Sequence, residues 1–249
     1  MAVSAQVFTT GFCRPIPSVF PVMLSCVGDA QIDNTYDFIE PYMNNSQHPQ
    51  PDGVFAITQE DQLRAGTYAL LAALLRTVPE RAVLERLLAI EASETEATTE
   101  ISQAWLGLRQ AAQNVDPAAL DDEFHTLFIG VGRGELVPFG SWYITGFLME
   151  RPLSAVRTEL AHLGYQRQSQ VHEPEDHIAA LCEVMALIIQ DPELLLTDQR
   201  RFFEAHLAPW AETFFMDLEK AKAADFFRSV GLLGKAFIRL EKRYLEMPV

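Results

Sequence analysis

Two short stretches of this chain hold residue types whose spacing could do chemistry. The first, His-Glu-Pro-Glu-Asp-His at residues 172–177, packs two imidazoles and three carboxylates into six positions. Imidazoles one helical turn apart, as in His-Glu-x-x-His, converge on a zinc ion with a general base between them. Here His172 and His177 are five apart with Pro174 between them. Proline favours the first position of a helix, which would leave His172 outside it, and no third ligand is apparent. On that reading Glu173, Glu175 and Asp176 crowd a first helical turn, where carboxylates meet free amides and the positive end of the dipole. Asp176 and His177 as helical neighbours would point about 100° apart, too far to act as the orienting and basic members of a hydrolytic triad. The chain also lacks a Gly-x-Ser-x-Gly elbow.

The second stretch, GVGRGELVPFG at residues 130–140, offers Gly130, Gly132 and Gly134 as a phosphate cradle. Such loops work when a strand delivers backbone amides to the start of a helix. The residues before Gly130 read as a helix and no Gly-Lys-Ser/Thr follows, so the glycines fit a helix C-terminus and connection better. Large apolar residues surround the loop: Phe128, Val131, Leu136, Val137, Pro138, Phe139, Trp142 and Tyr143. That density suits a groove for an apolar peptide as well as a core. A GTP-binding or metal-dependent hydrolase using loop 130–134 or segment 172–177 is the alternative from another class.

The elements that must position these residues are helical. Thr58 can cap a helix over 59–77, with Glu60 and Asp61 in its first turn and Leu63, Tyr68, Leu71, Leu74 and Leu75 on one face. Pro79 opens a second helix over 79–90, and a third covers 94–113. Pro117 sits at the first position of a fourth, which runs through Phe124 and Phe128. Further helices are predicted over 140–149, 153–162, 174–190, 197–207, 209–222 and 225–246. No stretch alternates apolar and polar residues long enough to predict a strand. The fold class is therefore all-α: one globular domain of about ten helices over residues 57–249, following an irregular or flexible extension over 1–56.

Composition narrows the function classes. The 249 residues include 34 acids against 19 lysines and arginines, a net charge of −15. That balance disfavours nucleic acid and anionic membranes, and would attract a basic partner segment at long range. From Glu219 onward seven bases face four acids, so the excess of negative charge lies before that point. Cys13, Cys26 and Cys182 are odd in number and lack metal-type spacing, which fits a reducing compartment. Cys182, in the apolar run IAALCEVMALII, reads as core. Residues 19–27 are apolar but short and broken by Pro21, with only Arg14 before them, so they do not make a secretory signal. Residues 44–53 read as a linker.

Taken in order, FHTLFIGVG (124–132), VPFGSWY (137–143), LSAVRTELAHLGY (153–165), EPEDH (173–177) and RRFFEAHLAPWAETFFMDLE (200–219) resemble the TorD/DmsD/NarJ family of cytoplasmic chaperones for molybdenum-containing oxidoreductases. The resemblance covers residues 57–249. It implies an all-helical fold, TorD-like, with a hinge between two lobes near 166–176. It also implies a non-enzymatic function: binding the twin-arginine signal peptide of an apo-oxidoreductase, and holding that partner until its cofactor is inserted. Carried over by motif, Phe124, Leu127 and Phe128 match an aromatic-x-x-Leu-Phe set, and Pro138, Gly140, Ser141 and Tyr143 the loop after it. Glu173, Pro174, Asp176 and His177 match an acidic motif associated with signal-peptide recognition. The family's additional Glu four residues before the Glu-Pro pair is Ser169 here.

The expected signal-peptide site combines both readings. Asp176, with Glu173 or Glu175, is expected to face the arginines, with His177 shaping the site. Phe124, Leu127, Phe128, Pro138, Phe139 and Trp142 are candidates for an apolar wall, although Phe124, Leu127 and Phe128 cannot all point outward. No metal and no cofactor are expected; weak guanine-nucleotide binding enters through the resemblance alone. The chain is read as a cytoplasmic monomer, with a homodimer as an option, and without nucleic-acid binding or membrane insertion.

Overall fold

The structure is a computed structural model that describes residues 39–41, 57–90 and 98–247. The readings at Cys13, Cys26, 19–27 and 44–53 lie outside the described residues. In chain order the elements are β1 (Ile39–Pro41), α1 (Gln59–Arg76), α2 (Arg81–Ala89), α3 (Glu100–Asn114) and α4 (Pro117–Phe124). A π-helical turn (His125–Ile129) extends α4. Then follow α5 (Gly140–Thr145), α6 (Arg151–Leu163), β2 (Tyr165–Arg167), α7 (Ile178–Gln190), α8 (Leu196–His206), α9 (Ala211–Lys220) and α10 (Phe226–Glu246).

Local chemistry sets many of these boundaries. The Thr58 hydroxyl accepts from Asp61 N while the Asp61 carboxylate accepts from Thr58 N, a reciprocal cap at the start of α1. Thr99 and Ser102 do the same for α3, and Asp116 caps α4 with Pro117 in its first turn. The α10 cap comes from far away in sequence: the Glu123 carboxylate accepts from the backbone amides of Asp225, Phe226 and Phe227. Glu135 likewise accepts from Lys222 N and Ala223 N, so two acids of the α4–α5 region fix the α9–α10 connection.

The core is built around α7, whose residues are buried except Leu187 and Gln190. A helix apolar all round belongs inside, and α7 packs against α1 on one side and α8 on another. The second layer is α10 against α9 and α3. Leu63, Tyr68, Leu71, Leu74, Leu75 and Cys182 all lie in this core, as their spacing predicts. One charged pair is buried with them: Arg64 of α1 and Glu241 of α10 face each other through two hydrogen bonds of 2.8 and 2.9 Å.

The structure corrects several predicted boundaries. α2 begins at Arg81, two residues past Pro79, and α5 ends at Thr145 instead of reaching residue 149. The helix expected from Pro174 begins only at Ile178. The described residues also include two strands, which pair antiparallel with Ile39 opposite Arg167 and Pro41 opposite Tyr165. At three residues each, these strands are too short to show alternation.

Candidate functional site

Segments 137–140 and 176–178 are what bring the site together, pairing antiparallel at a single bridge that follows a hydrogen-bonded turn over Pro174–His177. Phe139 and His177 form a bridge pair, Gly140 N donates to Asp176 O at 2.9 Å, and Ile178 N donates to Pro138 O at 2.9 Å. This pairing is why the helix starts only at Ile178: His177 N closes a turn on Pro174 O at 3.1 Å, the Asp176 carbonyl is taken by Gly140 N, and Ile178 N is taken by Pro138 O. α5 and α7 therefore start side by side, each from one strand of this short zipper.

The sequence reading places Glu173, Glu175 and Asp176 in a helical first turn; none of them lies in one. Asp176 is 1% exposed, and its Oδ2 accepts from Ser141 N at 2.8 Å. The carboxylate thus caps the start of α5 and is not presented to solvent, contrary to the expectation that it faces arginines directly. Two buried polar atoms beside it, Asp176 Oδ1 and the Ser141 hydroxyl, have no hydrogen-bond partner. Glu175 is also buried, and both of its oxygens are held, by Arg157 at 2.9 Å and Arg167 at 3.3 Å. Glu173 is exposed, while Pro174 is half-buried against the zipper.

His177 caps α7: its Nδ1 accepts from Ala179 N at 3.1 Å, so the proton of the neutral ring sits on Nε2. The ring packs edge-on to Phe139, centroids 5.0 Å apart. Burial lowers its pKa from 6.5 to about 4. Between those values the unfolded chain binds a proton that the folded chain refuses, so stability is full above pH 6.5 and declines as pH falls toward 4. Urea midpoints measured at the two ends of that window should fall further for the parent than for His177→Gln. Equal falls would remove His177 as a cause.

The expected apolar wall divides in two. Phe124 and Leu127 are core, Phe124 stacking against Phe128 at 5.0 Å and Phe227 at 5.8 Å. Pro138, Gly140 and Ser141 are buried; Phe128, Phe139, Trp142 and Tyr143 are half-buried. Tyr143 lies over Trp210 at 5.3 Å and donates to Asp217 at 3.2 Å. Burial, together with the Asp217 charge, pushes its phenol well above the usual range. The exposed apolar surface lies further along: Ile144, Phe147, Leu148 and Met149, between 47% and 75% exposed, follow Trp142 around the end of α5. Sequence reasoning ended its wall at Trp142 and missed these four, although their run, interrupted only by Thr145 and Gly146, was visible.

The glycine loop is a helix terminus. Gly130 N donates to His125 O at 2.7 Å, closing the π turn, and Glu135 N and Leu136 N satisfy the carbonyls of Thr126 and Leu127. Gly134 is required by close approach, since a Cβ there would lie 2.5 Å from Leu127 O. The loop amides thus serve the turn they cap. Among the described residues no group of three His, Cys, Asp or Glu side chains could hold a metal ion. Nor is any helix among them long and apolar enough to cross a membrane.

Residues 94–216 match the family model described as nitrate reductase delta subunit. The chain is 30% identical over 116 residues to a Haemophilus influenzae protein named as the Tat proofreading chaperone DmsD, covering 46% of this chain and 56% of that one. It is 28% identical over 137 residues to the chaperone protein TorD of Vibrio atlanticus, covering 51% of this chain and 64% of that one. These matches place the similarity of the helical domain with the TorD and DmsD chaperones. Its match spans less than two thirds of the length of either relative. A crystal structure of a candidate redox enzyme maturation protein from Archaeoglobus fulgidus overlays with a TM-score of 0.46 at 20% identity, over 77% of this chain and 99% of that one. The chain carries the residues that resemble the TorD/DmsD/NarJ motifs in two roles. Phe124, Leu127, Asp176 and His177 build the frame, while Trp142 and the residues after it meet solvent.

Proposed function

We propose that this chain is a non-enzymatic chaperone that binds the twin-arginine signal peptide of a molybdenum-containing oxidoreductase in the cytoplasm and holds that partner for cofactor insertion before export. One observation carries the reading. An exposed apolar strip, Ile144 through Met149, follows helix α5, whose start is tied through Ser141 and Asp176 to the acidic segment 173–177. A twin-arginine leader has the matching polarity, two guanidiniums followed by an apolar run. The run lies on Ile144, Phe147, Leu148 and Met149, while the guanidiniums approach Glu173 and Glu175. The net charge of −15 favours encounter with a cationic peptide. The family relatives named TorD and DmsD support the same reading.

The test is a titration of the purified chain with a fluorescent leader peptide and its Lys-Lys counterpart. A guanidinium pairs with carboxylate through a planar fork that an ammonium lacks, so the Lys-Lys peptide should bind about tenfold more weakly. Affinity for the parent leader should also fall as salt rises. Equal affinity for both peptides, or none for either, rejects the reading.

A further inference from the structure

We propose that Arg157 is a resident stand-in for the leader's arginine, occupying Glu175 until a peptide guanidinium displaces it. This rests on the signal-peptide reading and assigns how its acidic half is gated.

The two arginines on Glu175 are held very differently. Arg167 is rooted: besides Glu175 it donates to Val171 O at 2.7 Å and Glu173 O at 3.4 Å, and its backbone lies in β2 opposite Ile39. Among the described residues Arg157 makes one hydrogen bond, Nε to Glu175 Oε2 at 2.9 Å, and its side chain is 54% exposed. Glu175 itself is 8% exposed. A carboxylate that well buried cannot be left alone without a large desolvation penalty; Arg167 sits at Oε1, and Oε2 needs a partner of its own. Arg157 meets that need from the solvent side, with one bond and a long exposed stem.

An incoming guanidinium can therefore replace Arg157 like for like, keeping Glu175 neutralised throughout. A lysine ammonium offers no planar fork and competes poorly against a resident guanidinium. The exchange makes Arg157 a filter as well as a placeholder: it lowers affinity for every ligand and lowers it least for arginine. Arg167 stays in place and keeps the carboxylate oriented.

The experiment measures leader-peptide affinity at low salt for the parent, Arg157→Gln, Glu175→Gln and the double variant, with helicity and thermal midpoint recorded for each. Removing a competitor that forms one half-exposed ion pair should tighten binding about three- to tenfold in Arg157→Gln. Glu175→Gln should weaken binding, and adding Arg157→Gln to it should recover nothing, because the two positions act on one contact. Unchanged or weaker binding by a folded Arg157→Gln, with the parent still binding, overturns the stand-in and leaves the signal-peptide reading intact. No binding by the parent removes both.

Discussion

Glu241→Gln is expected to lower the free energy of unfolding by about 3–5 kcal/mol, the usual cost of stripping one partner from a buried ion pair. Arg64 and Glu241 are both fully buried. The guanidinium spends its donors on both Glu241 oxygens, on Gln199 at 2.9 Å and on Asp61 at 3.2 Å, and stacks over Tyr244 at 4.2 Å. Burial alone would lower the Arg64 pKa; the attraction and hydrogen bonds of Glu241 more than reverse this, so the group stays charged in the core. With a neutral amide opposite, that charge loses its buried bidentate counterion and keeps only the partly exposed Asp61 at 3.2 Å, while its desolvation cost remains. Chemical denaturation followed by circular dichroism reads the loss directly. Replacing both residues, Arg64→Met with Glu241→Leu, should restore much of it, since an apolar pair carries no such cost. A loss below about 1 kcal/mol for Glu241→Gln would show that water reaches the pair.

The second large effect separates charge from position at Asp176. Asp176→Ala leaves the Ser141 amide buried without an acceptor, which costs about 1–3 kcal/mol and frees the start of α5. Leader affinity should drop about tenfold, because Trp142 and the apolar strip lose their anchor. Asp176→Asn keeps an oxygen for Ser141 N, so it should retain most of both stability and affinity. If Asn fails as badly as Ala in binding while folding normally, the carboxylate's charge acts on the peptide itself. Calorimetric titration of the three proteins decides between the two roles.

How far the sequence could be read depended on the range of the interaction involved. The Thr58 cap, Pro117 and the apolar face of α1 are set by neighbours within four residues, and each was legible. Pro174 misled because its local preference for a helix start was overruled by a backbone pairing with 137–140, which no local pattern announces. The same holds for Glu123 and Glu135, which cap backbone amides about a hundred and about ninety residues downstream. Arg64 sits among apolar positions of α1, but its partner lies 177 residues away. In the candidate site, the structure brings segments 137–141 and 173–177 together, but the backbone partners of their side chains were not legible. Asp176 and His177 look like surface chemistry in sequence and serve as caps in the fold, because the amides they satisfy belong to α5 and α7 starting side by side.

The wide turn at His125–Ile129 has a bearing on how such chains can diverge. It holds one residue more than an α-helical turn would, and that surplus sets the phase of everything after it. Losing a single residue there would tighten the coil and swing the downstream backbone by about 100°. The carbonyls of Thr126 and Leu127 would no longer meet the amides of Glu135 and Leu136. Length changes among homologues should accordingly be tolerated at the exposed tip near Val131 and Arg133, and selected against between His125 and Ile129.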